Sequence, residues 1–176
     1  VSMISKKFPL LDFSCWSTEQ ISRFGHHLLT KFVTFLYTDR DNLNHLCDFL
    51  IDEGFNVYSN PNKEESKDFI IRKKTIVLRP TISTQPVEEH FVKIEGILTE
   101  LFLESIDLNL IDFDEYIKIF HNLSRQFRIS ISQFLDYIDY RQPKIKNKPS
   151  LIINLVELIK VDFSINSSLI NSSRFI

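Results

Sequence analysis

A helical stripe of apolar residues between two runs of strand-forming residues is the feature that most constrains the fold. From Asp39 to Glu53, apolar residues recur every three or four positions, which predicts a helix with one buried face. These residues are Leu43, Leu46, Cys47, Leu50 and Ile51. Gly54 is suited to end this helix, because the residue after a helix often takes a left-handed conformation. The flanking runs 31–37 and 55–58 are rich in β-branched and aromatic residues and predict strands. The pattern therefore predicts a mixed fold of helices and a sheet.

The same alternation extends in both directions. Ser17 to Gln20 resembles a capping box and predicts the start of a first helix. We interpret 31–37 as a central strand, since it is apolar along most of its length. Asp68 to Arg79 indicates a long strand, or a hairpin turning near Lys73, and Pro80 ends it.

A second amphipathic segment follows from Pro86, which suits the first turn of a helix. Its apolar residues are Val87, Phe91, Ile94, Leu98 and Leu101. The segment 109–120 alternates loosely and is predicted to be the last strand. The resulting order, strand, helix, strand, strand, helix, strand, is that of a ferredoxin-like split βαββαβ sheet. Its helices would cover one face and leave the other available.

The C-terminal part predicts mostly helix. Its apolar spacing favours a helix over 127–138, with a strand over 127–131 as the alternative, and Ser150 can cap another helix. The basic loop 141–148 lies between them, and 164–176 has the composition of a surface tail. We therefore predict an α+β protein with two parts. Residues 1–120 form a ferredoxin-like domain with an N-terminal helix, and residues 121–176 form an extension packed on that domain.

Composition excludes several classes of protein. The chain is 43% hydrophobic and 25% charged, which is typical of a globular domain. Its net charge of −2 gives no general attraction to nucleic acid or to an anionic membrane. No apolar stretch is long enough to span a membrane, and we expect no signal peptide, because Lys6, Lys7 and Pro9 interrupt any apolar run near the first residue. Cys15 and Cys47 lack metal-ligand spacing, which favours two reduced thiols and a cytoplasmic location.

No arrangement of residues indicates catalysis. The five histidines lack the spacing of a helical zinc site, and three scattered glycines cannot form a phosphate-binding loop. Asp112, Glu115 and Lys118 are the candidates for a metal-dependent nuclease. In a strand, however, Glu115 and Lys118 would point to opposite faces. We therefore expect no enzyme activity, no cofactor and no metal site, with this nuclease as the alternative.

Charge is segregated along the second half of the chain. The segment from Glu88 to Glu115 has nine acidic residues and one basic residue, Lys93, a net charge of −8. Among the charged residues that follow, up to Lys148, seven are Lys or Arg and two are Asp. One interpretation is that the two blocks pair with each other. The other is that the acidic block is an exposed surface that meets a basic protein partner.

The middle of the chain, about residues 30 to 118, resembles the regulator of ribonuclease activity B family. The resemblance rests on Phe32 to Tyr37, on Gly54 to Val57, and on the acidic and aromatic run Asp114-Glu115-Tyr116. The family has Asp-Gly-Trp near this last position, so the chain departs from it there. The resemblance implies a ferredoxin-like fold and inhibition of an RNA-degrading enzyme. The chain is also similar in kind to bacterial contact-dependent growth-inhibition immunity proteins, which cover the active site of one toxin.

These observations favour an immunity or inhibitor protein that binds and occludes a basic nuclease toxin. The alternatives are a regulator of a cellular ribonuclease and a nucleic-acid-binding module, which the net negative charge disfavours. Tyr137 and Tyr140 are further aromatic candidates for anchors. The predicted partner-binding residues are Glu100, Glu104, Asp107, Asp112, Asp114, Glu115 and Tyr116.

Overall fold

A computed structural model describes residues 1–25 and 31–141 of the chain. Residues 1–137 form one compact unit and residues 138–176 a second, of which 138–141 are described. The predictions for the loop 142–148, the helix capped by Ser150 and the tail 164–176 lie outside the described residues.

The described residues form six α-helices and six strands. The helices are α1 (Ser2–Lys7), α2 (Thr18–Ser22), α3 (Leu43–Asp52), α4 (Ile94–Leu108), α5 (Phe113–Gln126) and α6 (Ile131–Arg141). The strands are β1 (Phe13–Ser17), β2 (Val33–Thr38), β3 (Asn56–Ser59), β4 (Thr75–Pro80), β5 (Val87–Glu88) and β6 (Phe91–Val92). Short 3₁₀ turns cover Arg40–Asn42 and Glu65–Asp68.

The strands form one mixed sheet in the order β3-β4-β2-β1-β6-β5. Strand β2 is antiparallel to β1 and parallel to β4, and β4 is parallel to β3. The predicted central position of the 31–37 segment is confirmed. The α+β class is also confirmed, but this mixed order does not confirm the ferredoxin-like arrangement.

Local signals correctly placed the start of α2 and the position of α3, whereas α1 was not predicted. The Ser17 backbone N–H donates to Gln20 Oε1 at 2.8 Å, which completes the predicted capping box of α2. Helix α3 buries Leu43, Leu46 and Leu50, three residues of the predicted stripe. Gly54 has a φ of 80°, a left-handed conformation that residues with a Cβ rarely adopt.

Helices cover both faces of the sheet, which corrects the expectation of one open face. Leu36 lies opposite Cys15 and Leu78, and these residues pack in one apolar cluster with residues of α1 and α3. Side chains alternate along a strand, so Tyr37 and Arg79 point to the other face. There both bond to glutamates of α4. A strand that is covered on both faces has consecutive apolar residues instead of alternating ones. The consecutive buried residues Phe35 to Tyr37 of β2 show this pattern.

The predicted strand 109–120 is wrong, since Phe113–Gln126 is a helix. Asp112 caps this helix by accepting the Glu115 N–H at 2.7 Å. Its buried residues Tyr116, Ile119, Phe120 and Leu123 follow helical spacing.

The segment after Pro86 also differs from the prediction. Helix α4 begins at Ile94, and the residues before it form the two-residue strands β5 and β6. The long strand expected over 68–79 is confined to β4, because a 3₁₀ turn occupies Glu65–Asp68. Residues 69–72 form no strand, so the turn at Lys73 and Lys74 does not join a hairpin and that alternative is wrong as well.

Adjacent residues of α3 test the packing of this helix on the sheet. Leu50 is fully buried and Ile51 is 52% exposed. We expect Leu50→Ala to lower the free energy of unfolding by about 2–5 kcal/mol, because it removes core contacts and leaves a cavity. Ile51→Ala serves as the matched control and should cost less than about 1 kcal/mol. Urea denaturation followed by circular dichroism measures both, and equal losses would contradict the described orientation of α3.

Candidate functional site

Helix α4 carries three carboxylates into the interior. Glu95, Glu100 and Glu104 are all buried, Glu100 completely. A buried carboxylate is costly unless hydrogen bonds or an opposite charge compensate for the lost water. Glu95 Oε1 accepts the Ser130 backbone N–H at 2.8 Å, directly before α6 begins. The first of these carboxylates therefore ties α4 to the start of α6.

Glu100 accepts hydrogen bonds from two tyrosines. The Tyr137 hydroxyl donates to Oε1 at 2.6 Å and the Tyr37 hydroxyl donates to Oε2 at 3.3 Å. The Trp16 indole N–H in turn donates to the Tyr37 hydroxyl oxygen at 3.1 Å. Burial raises the pKa of the Tyr37 phenol well above its usual value, and the nearby glutamates raise it further. This network joins the sheet, α4 and α6.

Glu104 forms an ion pair with Arg79 of β4. Arg79 Nη2 and Nε donate to the two carboxylate oxygens at 2.6 and 2.9 Å, and Nη1 donates to the Pro61 carbonyl at 3.0 Å. Burial acts to lower the pKa of Arg79, but the hydrogen bonds and charge of Glu104 outweigh it and raise the value. Burial raises the pKa of Glu104, although Arg79 opposes this. The pair is part of the core.

The seven predicted partner-binding residues thus divide into two groups. Glu100, Glu104, Glu115 and Tyr116 are buried, so in this conformation they add no open acidic surface. Asp107, Asp112 and Asp114 are exposed. The acidic segment is therefore only partly a surface, because its carboxylates on α4 bond to Tyr37, Arg79 and other interior groups.

The aromatic candidates divide in the same way. The Tyr116 hydroxyl donates to the Leu98 carbonyl at 3.2 Å inside the core, and burial raises the pKa of this phenol. Tyr137 is buried against Glu100, whereas Tyr140 is 50% exposed. Of the three tyrosines, Tyr140 alone has an exposed ring.

A cleft with a volume of about 340 Å³ lies where α2 approaches α4, α5 and the connection between them. Two of the predicted residues, Asp112 and Glu115, line it. The full lining comprises Thr18, Ile21, Ser22, Gly25, Ile71, Leu101, Asn109, Leu110, Ile111, Asp112, Glu115 and Ile119. A concave, mainly apolar site with a few polar groups is the usual form of a binding site.

Glu115 supplies the buried charge of this cleft. It is 5% exposed, and its Oε2 lies 3.8 Å from Nζ of Lys118, whose side chain is 47% exposed. A Cβ built on Gly25 would lie 2.5 Å from Glu115 Oε1, so the carboxylate occupies the space that the missing side chain leaves. A glycine at position 25 therefore allows the carboxylate to sit against the backbone after α2.

Asp112 lines the cleft, and two further exposed acids, Asp107 and Asp114, lie within two residues of its lining along the chain. Asp112 is the N-cap of α5 and Asp114 lies in its first turn, where negative charge is favoured by the helix dipole. Asp107 lies in the last turn of α4, which ends at Asn109 in a left-handed conformation with a φ of 53°. We refer to Asp107, Asp112 and Asp114 as the acidic rim.

Sequence reasoning missed the part of the cleft formed by α2 and the loop before β4. Ile21, Ser22 and Ile71 lie far from α5 in the chain, and no local pattern connects them with it. Gly25 was one residue of the sequence that could have indicated this part of the cleft, because the chain has only three glycines. It follows α2 without a left-handed conformation, so close approach of another group explains it better than a turn.

The residues of the alternative nuclease interpretation occupy different positions from those expected. Because α5 is a helix, Glu115 and Lys118 lie three residues apart on one side and not on opposite faces of a strand. Within residues 1–25 and 31–141, no group of three or more His, Cys, Asp or Glu side chains is placed to hold a metal ion. No helix in these ranges combines the length and apolar character needed to cross a bilayer.

Fold and site together define a mixed α+β protein whose acid-rimmed cleft is built on α2, α4 and α5. The chain belongs to a family of unknown function, DUF6577, whose model matches residues 1–165. No curated protein and no solved structure significantly matches the chain.

The buried ion pair of α4 gives a prediction for stability. Arg79→Met leaves the Glu104 carboxylate in the core without its cation, and we expect a loss of about 3–5 kcal/mol in the free energy of unfolding. Arg79→Met combined with Glu104→Met removes both charges and should recover most of that loss. Urea denaturation of the two variants at neutral pH measures the difference. A single variant as stable as the wild type would show that the pair does not form.

The pKa of Tyr37 predicts loss of stability at high pH. The folded chain keeps a proton that the unfolded chain releases near pH 10, so this contribution is complete below pH 10 and is lost as the pH rises. The free energy of unfolding should fall by up to about 1.4 kcal/mol per pH unit for this tyrosine. Urea denaturation between about pH 8 and 11 should show a shallower decline for Tyr37→Phe than for the wild type. Identical slopes would rule out a raised pKa at Tyr37.

Proposed function

We propose that the chain is an immunity or inhibitor protein that binds a basic nuclease toxin and covers its active site. It would act in the bacterial cytoplasm, bind one protein partner and catalyse no reaction itself. The observation that carries the proposal is the acidic rim beside a mainly apolar cleft.

The rim supplies the charge that such a partner requires. A nuclease groove attracts phosphates and is therefore positively charged. Carboxylates of an inhibitor can meet the same groove, steer the encounter and exclude other partners. Asp107 and Asp114 are exposed and so remain available for this role.

The cleft supplies apolar area next to that charge. Binding energy at protein interfaces is concentrated in a few side chains that fill desolvated pockets, while charges at the edge mainly accelerate association. Ile21, Leu101 and Ile119 line such a pocket beside Glu115. A negatively charged rim disfavours nucleic acid as the ligand of this face, because phosphates would be repelled.

Charge reversal at the rim tests the proposal. The probes are the purified products of the reading frames next to the gene for this chain. We expect one of them to be a basic nuclease that the chain binds and inhibits. Asp107→Lys combined with Asp114→Lys should slow association at least about tenfold at low salt, with a smaller effect at about 300 mM salt, because screening weakens steering. Surface plasmon resonance measures the rate, and cleavage of labelled RNA and DNA measures inhibition.

Asp48→Lys combined with Asp52→Lys is the matched control, since both residues are exposed on α3 and the change in charge is the same. Association of this variant should slow much less. If both double variants bind equally fast, the rim is not the docking surface. If none of the neighbouring products is bound and inhibited, the toxin-inhibitor function is wrong.

A further inference from the structure

We propose that strand β3 is a dimerisation edge of the sheet, at which a second copy of this chain adds its own β3 in antiparallel orientation. The inference goes beyond the proposed function and does not depend on it. It rests on the hydrogen-bonding groups of the sheet and not on the acidic rim or the cleft.

The outer side of β3 has unpaired backbone groups. Strand β3 is the first in the sheet order and pairs only with β4. Asn56 and Asn60 donate their backbone N–H groups to carbonyls on the β4 side at 3.1 and 2.9 Å. Alternate residues of a strand direct these groups to opposite sides, so Val57 and Ser59 direct theirs away from β4. In the described part of the chain, no hydrogen bond to the backbone N–H or C=O of these two residues is formed.

The opposite edge of the sheet is protected against pairing, whereas β3 is not. Strand β5 at that edge has two residues, one of them the exposed Glu88, and Pro86 directly precedes it. Short edge strands, charged side chains and prolines are the usual means of keeping a sheet edge from pairing with another chain. Strand β3 has four residues with neither a charge nor a proline among them. The edge at β3 therefore has the properties of a site for another strand.

The backbone groups on either side of this edge limit the possible registers. Residues that bond in an antiparallel pair exchange two N–H···O=C bonds, so each needs a free N–H. The Phe55 N–H already donates to the Leu50 carbonyl at 3.0 Å, and Pro61 has no N–H. Neither residue can therefore complete a bonded pair.

Only the register with Tyr58 opposite its own copy gives every outward group of β3 a partner. Val57 then pairs with Ser59 of the second copy, and Ser59 with Val57 of that copy, which makes four hydrogen bonds about a two-fold axis. Shifting one strand by two residues places Phe55 or Pro61 in a pair and leaves a carbonyl of Val57 or Ser59 unpaired. Donors and acceptors that are symmetric about Tyr58 are what a two-fold contact between identical chains requires.

Exposed isoleucines flank this edge on both faces of the sheet. The Tyr58 hydroxyl accepts the Ile70 N–H at 3.3 Å and donates to its carbonyl at 3.2 Å, which holds this 54% exposed residue beside β3. On the face covered by α3, Ile51 is 52% exposed and lies one helical turn after Cys47, which has a side-chain hydrogen bond to Ser59. Pairing of two copies would cover part of both isoleucines and add apolar burial to the backbone bonds.

The charges at the two ends of β3 are compatible with the antiparallel orientation. The turns at its start, 52–53 and 72–74, have three basic and two acidic residues, and the turn after it, 63–68, has two basic and three acidic residues. Lys74 Nζ lies 5.2 Å from the centroid of the Phe55 ring, so a positive charge lies at the start of the strand. The start of each strand meets the end of the other in the proposed pair, so ends of opposite net charge approach each other.

Sedimentation velocity of the full chain tests the dimer directly. We expect a monomer–dimer equilibrium with a Kd on the order of 10–100 µM, because an interface built on one short strand is smaller than those of permanent complexes. The measurement covers protein concentrations from well below to well above that Kd. A monomer over the whole range would overturn the inference.

Hydrogen exchange of the ¹⁵N-labelled chain identifies the edge that pairs. The amides of Val57 and Ser59 should exchange about fivefold more slowly at a total concentration of about ten times the Kd, since about one fifth of the chains are then monomeric. The amides of Asn56 and Asn60 already bond on the β4 side and should change much less. Slow exchange of Val57 and Ser59 at every concentration would show that another part of this chain occupies the edge. Fast exchange at every concentration would show that nothing does, and either result overturns the inference.

Ser59 offers a matched pair of variants. Ser59→Pro removes one outward N–H per chain, and therefore two of the four hydrogen bonds of the dimer, without removing a bond between β3 and β4. We expect its Kd to be at least about tenfold higher than that of the wild type. Ser59→Ala keeps the N–H and loses only the hydroxyl, so its Kd should stay within about twofold of the wild type. Equal Kd values for the two variants would contradict the proposed pairing.

A second pair of variants keeps the test decisive if circular dichroism shows that Ser59→Pro does not fold. Ile51→Asp places a charge where the second copy would cover apolar surface, and it should raise the Kd about tenfold. Leu10→Asp is the control, because Leu10 is 99% exposed and precedes β1, which β2 and β4 separate from β3. Its Kd should equal that of the wild type. The same Kd for both variants would exclude the β3 edge as the interface.

Discussion

The structure depends on compensating the negative charge that α4 brings into the core. Glu100 lies between the hydroxyls of Tyr37 and Tyr137, and Glu104 accepts hydrogen bonds from Nε and Nη2 of Arg79. A carboxylate without such partners would cost several kcal/mol in the interior. The two residues of the sheet belong to β2 and β4, so the helix can sit on this face only in the register that brings each acid to its partner. The charges therefore select one position of α4, and through Tyr137 they bring α6 to it.

That arrangement explains why only part of the acidic segment faces solvent. A run of acidic residues in a sequence does not reveal which of them are buried, because burial depends on partners that are distant in the chain. Tyr37 precedes Glu100 by 63 positions and Arg79 precedes Glu104 by 25. Asp112, in contrast, bonds to a backbone group three residues away, so its role as a cap is a local matter. A count of charges along the sequence therefore does not distinguish the acids that are buried in the core from those that form the acidic rim.

The same contrast between local and distant determinants decides how much of the fold was predictable. The strand β2, the helix α3 and the capping box at Ser17 follow from residues within a few positions of each other, and all three are confirmed. The loose alternation of 109–120 predicts a strand, but Tyr116, Ile119 and Phe120 also follow helical spacing, and this segment forms a helix from Phe113. Strands β5 and β6 have two residues each, too few to leave a recognisable period. Of the cleft, Asp112 and Glu115 were identified from charge, whereas Ile21, Gly25 and Ile71 meet α5 only through tertiary packing.

The position of β4 has a consequence for how the chain assembles. It follows β2 and β3 in sequence, yet it lies between them and pairs with both. Until residues 75–80 have left the ribosome, β2 and β3 cannot form their hydrogen bonds with β4. The edges of these two strands that face β4 therefore stay unpaired in the growing chain. Contacts between segments distant in sequence slow folding, because the loop entropy is lost before they form. Insertion of this last central strand would therefore govern when the nascent protein ceases to be vulnerable to proteases and aggregation.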